Sequence, residues 1–178
     1  MHLLIPLIIV AGAAYLFFRT LKPGAGSTAG MDRLRRLEDV EEIRRLLIDY
    51  GRHLDRRDFA AYAALFASDG VWDGGFGAGT GPAEIRAMME RTIGGELNDG
   101  PQRNYHLMSS LRIEVDGDTG VAWSRWSFIL QDADHRPRVA FAGRYDDQLV
   151  RENGRWKFKL RKVSADLPGQ APPSGPLD

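Results

Sequence analysis

Residues 32–73, DRLRRLEDVEEIRRLLIDYGRHLDRRDFAAYAALFASDGVWD, decide the fold. Leu34, Leu37, Val40, Ile43, Leu46, Leu47, Tyr50 and Leu54 recur at three- and four-residue intervals. Glu38, Glu41, Glu42, Arg44 and Arg45 lie off that stripe, so the run reads as an amphipathic helix over about 32–55. Asp58 is a good N-cap because its carboxylate can accept a first-turn amide. It opens a short alanine-rich helix, Phe59 to Phe66, ended by Ser68-Asp69-Gly70. A brief strand, Val71 to Asp73, leads into the glycine-rich stretch Gly74 to Gly81. Pro82, at a first helical position, opens a third helix to about Ile93.

Beyond Gly100 the period changes to two. Leu107 to Val115, Val121 to Leu130, Arg138 to Val150 and Arg155 to Val163 each fit a strand, joined at Asp116-Gly117-Asp118 and Glu152-Asn153-Gly154 by tight turns. Three helices followed by a meander predict an α+β domain: the helices packed on a strongly curved antiparallel sheet. The Gly74 to Gly81 stretch lacks the Gly-Lys-Ser/Thr ending of a phosphate loop and reads as a flexible rim. The proline- and glycine-rich tail, 167–178, is expected to be disordered.

Lys plus Arg equals Asp plus Glu at 24 each, so no global field draws the chain to nucleic acid, and none is expected as a partner. The absence of cysteine excludes disulfides, thiol catalysis and thiolate zinc sites. His2, His53, His106 and His135 show no helical metal-ligand spacing, so neither metal nor cofactor is expected. From Leu3 to Phe18 no side chain is charged, and Arg19 and Lys22 follow. The run is short beside the ~20 residues of a typical span. With its basic flank on the C-terminal side it predicts a membrane anchor at 1–22, associating through residues 3–21, with the domain in the cytoplasm. A flexible linker at 23–31 and a domain at 32–166 would follow. Met31 also reads as a start for a soluble cytoplasmic domain.

Asp55 closes the first helix, where its charge meets the negative end of the helix dipole and is mildly disfavoured. His106 opens the first long strand. A carboxylate that orients a histidine is the minimal apparatus for moving a proton at neutral pH. On spacing alone Asp55 reads as well as a turn aspartate, His106 as a half-buried strand histidine, and Tyr50 as core on the apolar stripe. Arg125, between Trp123 and Trp126, is placed to orient a polar or anionic substrate. Trp72, Phe76, Trp126, Phe128 and Phe141 are candidates to line a cavity.

The run Leu37 to Asp73 resembles the SnoaL-like branch of the nuclear transport factor 2-like superfamily, notably in Glu42 to Leu47, Tyr50, Asp55 to Phe59 and Leu65 to Trp72. His106 ahead of Leu111 to Asp118, then Gly143-Arg144-Tyr145 and Asn153 to Phe158, agree with it. The resemblance covers about 34–166 and implies a cone-shaped α+β barrel around a pocket. Among its enzymes the chain is similar to scytalone dehydratase, bile-acid 7α-dehydratase and hexachlorocyclohexane dehydrochlorinase. Asp55 and His106 fall on the dyad of the latter two, and Tyr50 matches the tyrosine of the bile-acid enzyme. The second histidine of scytalone dehydratase has no counterpart. The arginine of the bile-acid enzyme has no clear one, although Arg161 lies nearby.

These readings together point to elimination or isomerisation. His106 would be the base, Asp55 its orienting carboxylate and Tyr50 a hydrogen-bond donor or acid. The substrate would be a hydrophobic, ring-containing small molecule. The competing readings are a cone that holds a ligand or partner without chemistry, tethered to the membrane, and an accessory subunit with a vestigial pocket. A homo-oligomer is expected.

Overall fold

The computed structural model of the chain describes residues 25–94 and 104–168. Helix α1 (Ala25–Asp55) begins in the unit Met1–Glu38 and ends in a second compact unit, Asp39–Asp178, which carries the rest of the fold. It is followed by α2 (Phe59–Ala63), β1 (Phe66–Gly74), β2 (Gly77–Thr80) and α3 (Gly81–Ile93). Four long strands complete it: β3 (Asn104–Asp116), β4 (Thr119–Gln131), β5 (Pro137–Glu152) and β6 (Arg155–Pro168).

Within the second unit the apolar stripe of α1 is buried at Ile43, Leu46, Leu47, Tyr50 and Leu54. Arg57, with φ of 59°, turns the chain in the left-handed region immediately after the helix. The Asp58 carboxylate then accepts from the Ala61 amide at 3.0 Å, which starts α2 as its capping position requires. The second helix is shorter than the sequence predicts because the chain becomes extended at Phe66, and β1 is correspondingly longer. Pro82 sits in the first turn of α3, and the Thr80 amide donates to Glu84 there.

The sheet order is β2-β1-β6-β5-β4-β3. The four long strands pair antiparallel, whereas β1 pairs parallel to β6. The sheet is therefore mixed, and it stays open between β2 and β3 rather than closing into a barrel. The expected rim Gly74 to Gly81 is instead largely a hairpin, Val71–Gly74 pairing with Gly77–Thr80 across a turn at Gly75 and Phe76, after which Gly77 has a φ of 112° that suits only glycine.

Three expectations about the chain ends need revision. The stretch expected as a linker is helical from Ala25, and Leu167 and Pro168, expected in a disordered tail, end β6. A single-pass anchor with a cytoplasmic domain is not what the fold shows: no helix among the described residues is long and apolar enough to cross a membrane. The 31-residue α1 has the length, but Arg33, Arg35, Arg36, Glu38, Glu41, Glu42, Arg44 and Arg45 make burial in hydrocarbon prohibitive. Residues 1–22 lie outside the described residues, as does the tail from 169.

Candidate active site

The helices and the inner face of the sheet enclose a cavity of about 480 Å³, within the range of small-molecule sites. Its body is apolar, formed by Leu54, Met89, Ile93, Trp126, Phe128, Phe141 and Val163, with Phe76 at the rim, half exposed and stacked on Trp72 at 6.0 Å. Residues with polar groups are few in its lining: His106, Arg57, Tyr50, Tyr62 and Tyr145.

Strand β3 begins beside the C-terminus of α1, and this meeting joins Asp55 to His106. One carboxylate oxygen of Asp55 lies 2.6 Å from His106 Nδ1, and the other accepts the His106 backbone N–H at 2.8 Å. The Asn104 side-chain amide adds a contact to Asp55 at 3.3 Å. The disfavoured charge at the end of the helix is thus explained by three donors brought to it from β3. The dyad is mostly buried, with side chains 17% and 12% exposed. Because a carboxylate only accepts, Nδ1 carries hydrogen, and Nε2 is left as the basic atom of a ring that lines the cavity. Phe128 packs against that ring at 4.8 Å.

Tyr50 is fully buried and accepts from the Trp72 indole N–H at 2.9 Å. Burial lifts its phenol above the ordinary value against the pull of the Arg161 charge, so the proton stays on. Tyr145 stacks on Trp126 at 5.8 Å and meets Tyr50 edge-on at 5.4 Å.

Of the residues singled out in the sequence, Tyr50, Trp72, Phe76, His106, Trp126, Phe128 and Phe141 line one cavity, with Asp55 behind His106. Arg125 does not join them. It sits on the opposite face of β4 from Trp126, mostly exposed, paired with Asp166. Strand alternation is the reason: inward Trp126 forces Arg125 outward.

Two cavity residues, Arg57 and Tyr62, escaped the sequence reading, and Arg161 entered it only as a neighbour of an arginine position without a clear counterpart. Arg57, read as part of a turn, lines the cavity and donates to Leu54 O at 2.9 Å and Asn104 Oδ1 at 3.4 Å. Burial pulls its guanidinium below the ordinary value, opposed by Asp55. Tyr62 was one more apolar position of an alanine-rich helix. Arg161 lies under the floor, wholly buried, making a two-pronged bond to Asp147 at 2.8 and 2.7 Å with the rings of Tyr50, Tyr145 and Phe158 around it at 4.0 to 4.2 Å. Burial alone would lower its pKa, but Asp147 holds it above the ordinary arginine value. Among the described residues no group of three His, Asp or Glu side chains is placed to hold a metal ion.

A SnoaL-like domain model matches residues 35–162. An uncharacterised Mycobacterium tuberculosis protein is 29% identical over 136 residues, covering 71% of this chain and 84% of that protein. A solved nuclear transport factor 2-like protein with a cystatin-like fold from Novosphingobium aromaticivorans superposes with a TM-score of 0.70 at 26% identity, over 82% of this chain and 92% of its own. A candidate scytalone dehydratase from the same organism gives 0.62 at 26% identity, over 74% and 87%.

Proposed function

The chain belongs to the SnoaL-like family, and on that premise we propose that it is a cofactor-independent lyase or isomerase acting on a hydrophobic, ring-containing small molecule. The observation that carries this is the two-point contact of Asp55 with His106 at the wall of an apolar cavity. His106 Nε2 takes a proton from carbon beside a carbonyl, and the C–H electrons pass into the new double bond while the carbonyl oxygen gains charge. Tyr50 donates to that oxygen, or protonates a departing hydroxyl so that water leaves. Trp126, Phe128 and Phe141 hold the ring.

A dehydration assay on hydroxylated ring ketones tests the reading, with His106→Ala expected to abolish turnover and Tyr50→Phe to reduce it roughly 10²- to 10³-fold. Turnover that survives His106→Ala defeats it. The mainly apolar walls equally suit a binding domain without chemistry; binding of ring compounds with no proton exchange at their carbon acids would favour that. A homo-oligomer is proposed through Tyr105, Leu107 and Val139, exposed on the sheet face opposite His106. Sedimentation of Leu107→Asp as the same species as the unmodified chain counts against that face.

A further inference from the structure

Arg57 stands where a helix ordinarily ends on glycine. Its backbone N–H donates to Leu54 O at 3.1 Å and that of Asp58 to His53 O at 3.0 Å, the paired bonds of a Schellman motif, and its φ of 59° is left-handed. Glycine takes that backbone without a Cβ penalty, and arginine does not. A departure of this kind from local preference is expected where the side chain has a task.

The side chain belongs to the cavity wall. Nη1 donates to Leu54 O at 2.9 Å and Nη2 to Asn104 Oδ1 at 3.4 Å, which ties the guanidinium to the joint between α1 and β3. Asn104 bonds Asp55, and Asp55 bonds His106, so this charge stands at the dyad end of the cavity. Among the described lining residues Arg57 is the one arginine or lysine, and there is no aspartate or glutamate. Asp55 lies outside the lining, its oxygens taken by donors of β3. Burial disfavours the Arg57 charge more than Asp55 offsets, so its pKa falls below the ordinary arginine value. An anionic ligand group at this end of an otherwise apolar cavity restores the balance.

We propose that Arg57 makes the cavity selective for hydrophobic ring compounds that carry a carboxylate, with the ring among Trp126, Phe128 and Phe141 and the carboxylate facing the guanidinium. Arginine suits that task because its planar cation matches a carboxylate and stays charged even when partly buried. The inference goes beyond the lyase reading and does not depend on it, since a pocket that only binds shows the same preference. Where chemistry follows, the carboxylate marks the end of the substrate beside His106. A cation that merely steadies the joint between α1 and β3 gives the opposite expectation: its loss weakens the fold and acts on charged and neutral ligands alike.

The test is binding of matched probes at neutral pH. 2-Naphthoate and 2-anthroate, each beside its neutral carboxamide, are titrated into the full 178-residue chain and read by quenching of the cavity tryptophans, Trp72 and Trp126. Each carboxylate should bind roughly tenfold more tightly than its amide. Arg57→Gly removes the guanidinium and suits the left-handed backbone, so the chain should stay folded while the carboxylates weaken about tenfold, to the level of amides that bind as before. Arg57→Gln, which keeps a donor without the charge, should behave alike and serves if glycine loosens the turn. Carboxylates bound no more tightly than amides by the unmodified chain overturn the proposal. So does a preference that survives in these variants, or a substitution that weakens acids and amides equally. No turnover is read. A carboxylate preference in a protein without dehydratase activity would sink the lyase reading and leave this one standing, whereas dehydration of ring ketones with no such preference would do the reverse.

Discussion

Replacing Asp55 by Asn tests the dyad with the smallest change of shape. The carboxylate accepts twice from His106, on the backbone N–H at 2.8 Å and on Nδ1 at 2.6 Å. An amide has one accepting end. The backbone N–H cannot change its role, so the amide oxygen stays with it and the NH₂ turns to Nδ1, which must then accept. The imidazole proton moves to Nε2, and the cavity loses its base although the ring has not moved. At the same time the Asn104 side-chain amide, 3.3 Å from the oxygen that is replaced, faces another donor. Losing one charge-assisted hydrogen bond between mostly buried partners costs about 1.5–3 kcal/mol, which urea unfolding resolves. Loss of general-base action costs roughly 10²- to 10⁴-fold in turnover. Long-range ¹H–¹⁵N correlation of the imidazole reads the tautomer directly: hydrogen on Nδ1 in the unmodified chain, on Nε2 in the variant. A folded Asp55→Asn protein with hydrogen still on Nδ1 and unchanged stability would refute this account of the dyad.

Burial raises the phenols of Tyr50, Tyr62 and Tyr145, so the folded state holds protons that the unfolded chain releases near pH 10. Stability should therefore be intact below that pH and fall as pH rises above it; absorbance at alkaline pH should show these three of the five tyrosines ionising only with unfolding. The Glu152 carboxyl is held below its ordinary value by hydrogen bonds from Ser68. Glu152→Gln should thus lower the melting temperature at neutral pH, with the difference closing as pH falls below about 4.3, the value in unfolded chains. Asp147→Asn strands the buried Arg161 cation and should cost about 3–5 kcal/mol, whereas Asp147→Leu with Arg161→Met should recover most of that in urea unfolding. Gly143→Ala would drive a methyl to 1.9 Å from Ser164 O and 2.8 Å from the Trp126 ring, and should destabilise by ~1–3 kcal/mol or more in the same assay.

What the sequence conveyed, and what it hid, follows from how far a periodic pattern stays in phase. The α1 stripe holds its period from Ile43 to Leu54, so Tyr50 reads directly as an inward position. The four long strands and their antiparallel order are equally plain, because the turns between consecutive neighbours are short. The parallel pairing of β1 with β6 joins strands more than eighty residues apart, and no local signal announces it. Bulges explain the rest. In β6, Trp156 and Phe158 face inward, and continued alternation would bury Leu160 and expose Arg161. The register slips there: Leu149 pairs with Phe158 but Gln148 with Leu160, so Lys159 is the extra residue and the parity reverses. One added residue thus carries an arginine into the core beneath Tyr50, where β5, still in phase at Tyr145, Asp147 and Leu149, supplies its carboxylate. A second slip, between Ala142 and Gly143, leaves Asp166 unpaired in the ladder and turned to Arg125 and Arg144 on the outer face. The charge under the phenols is therefore set by a register shift that composition and spacing do not encode. It also implies that deleting Lys159 should regularise the ladder without moving the charge: Phe158 and Leu160 become consecutive, plain alternation keeps Arg161 inward opposite Asp147, and a variant that loses the buried pair, read as a drop of about 3–5 kcal/mol in urea unfolding, would refute this account of the slip.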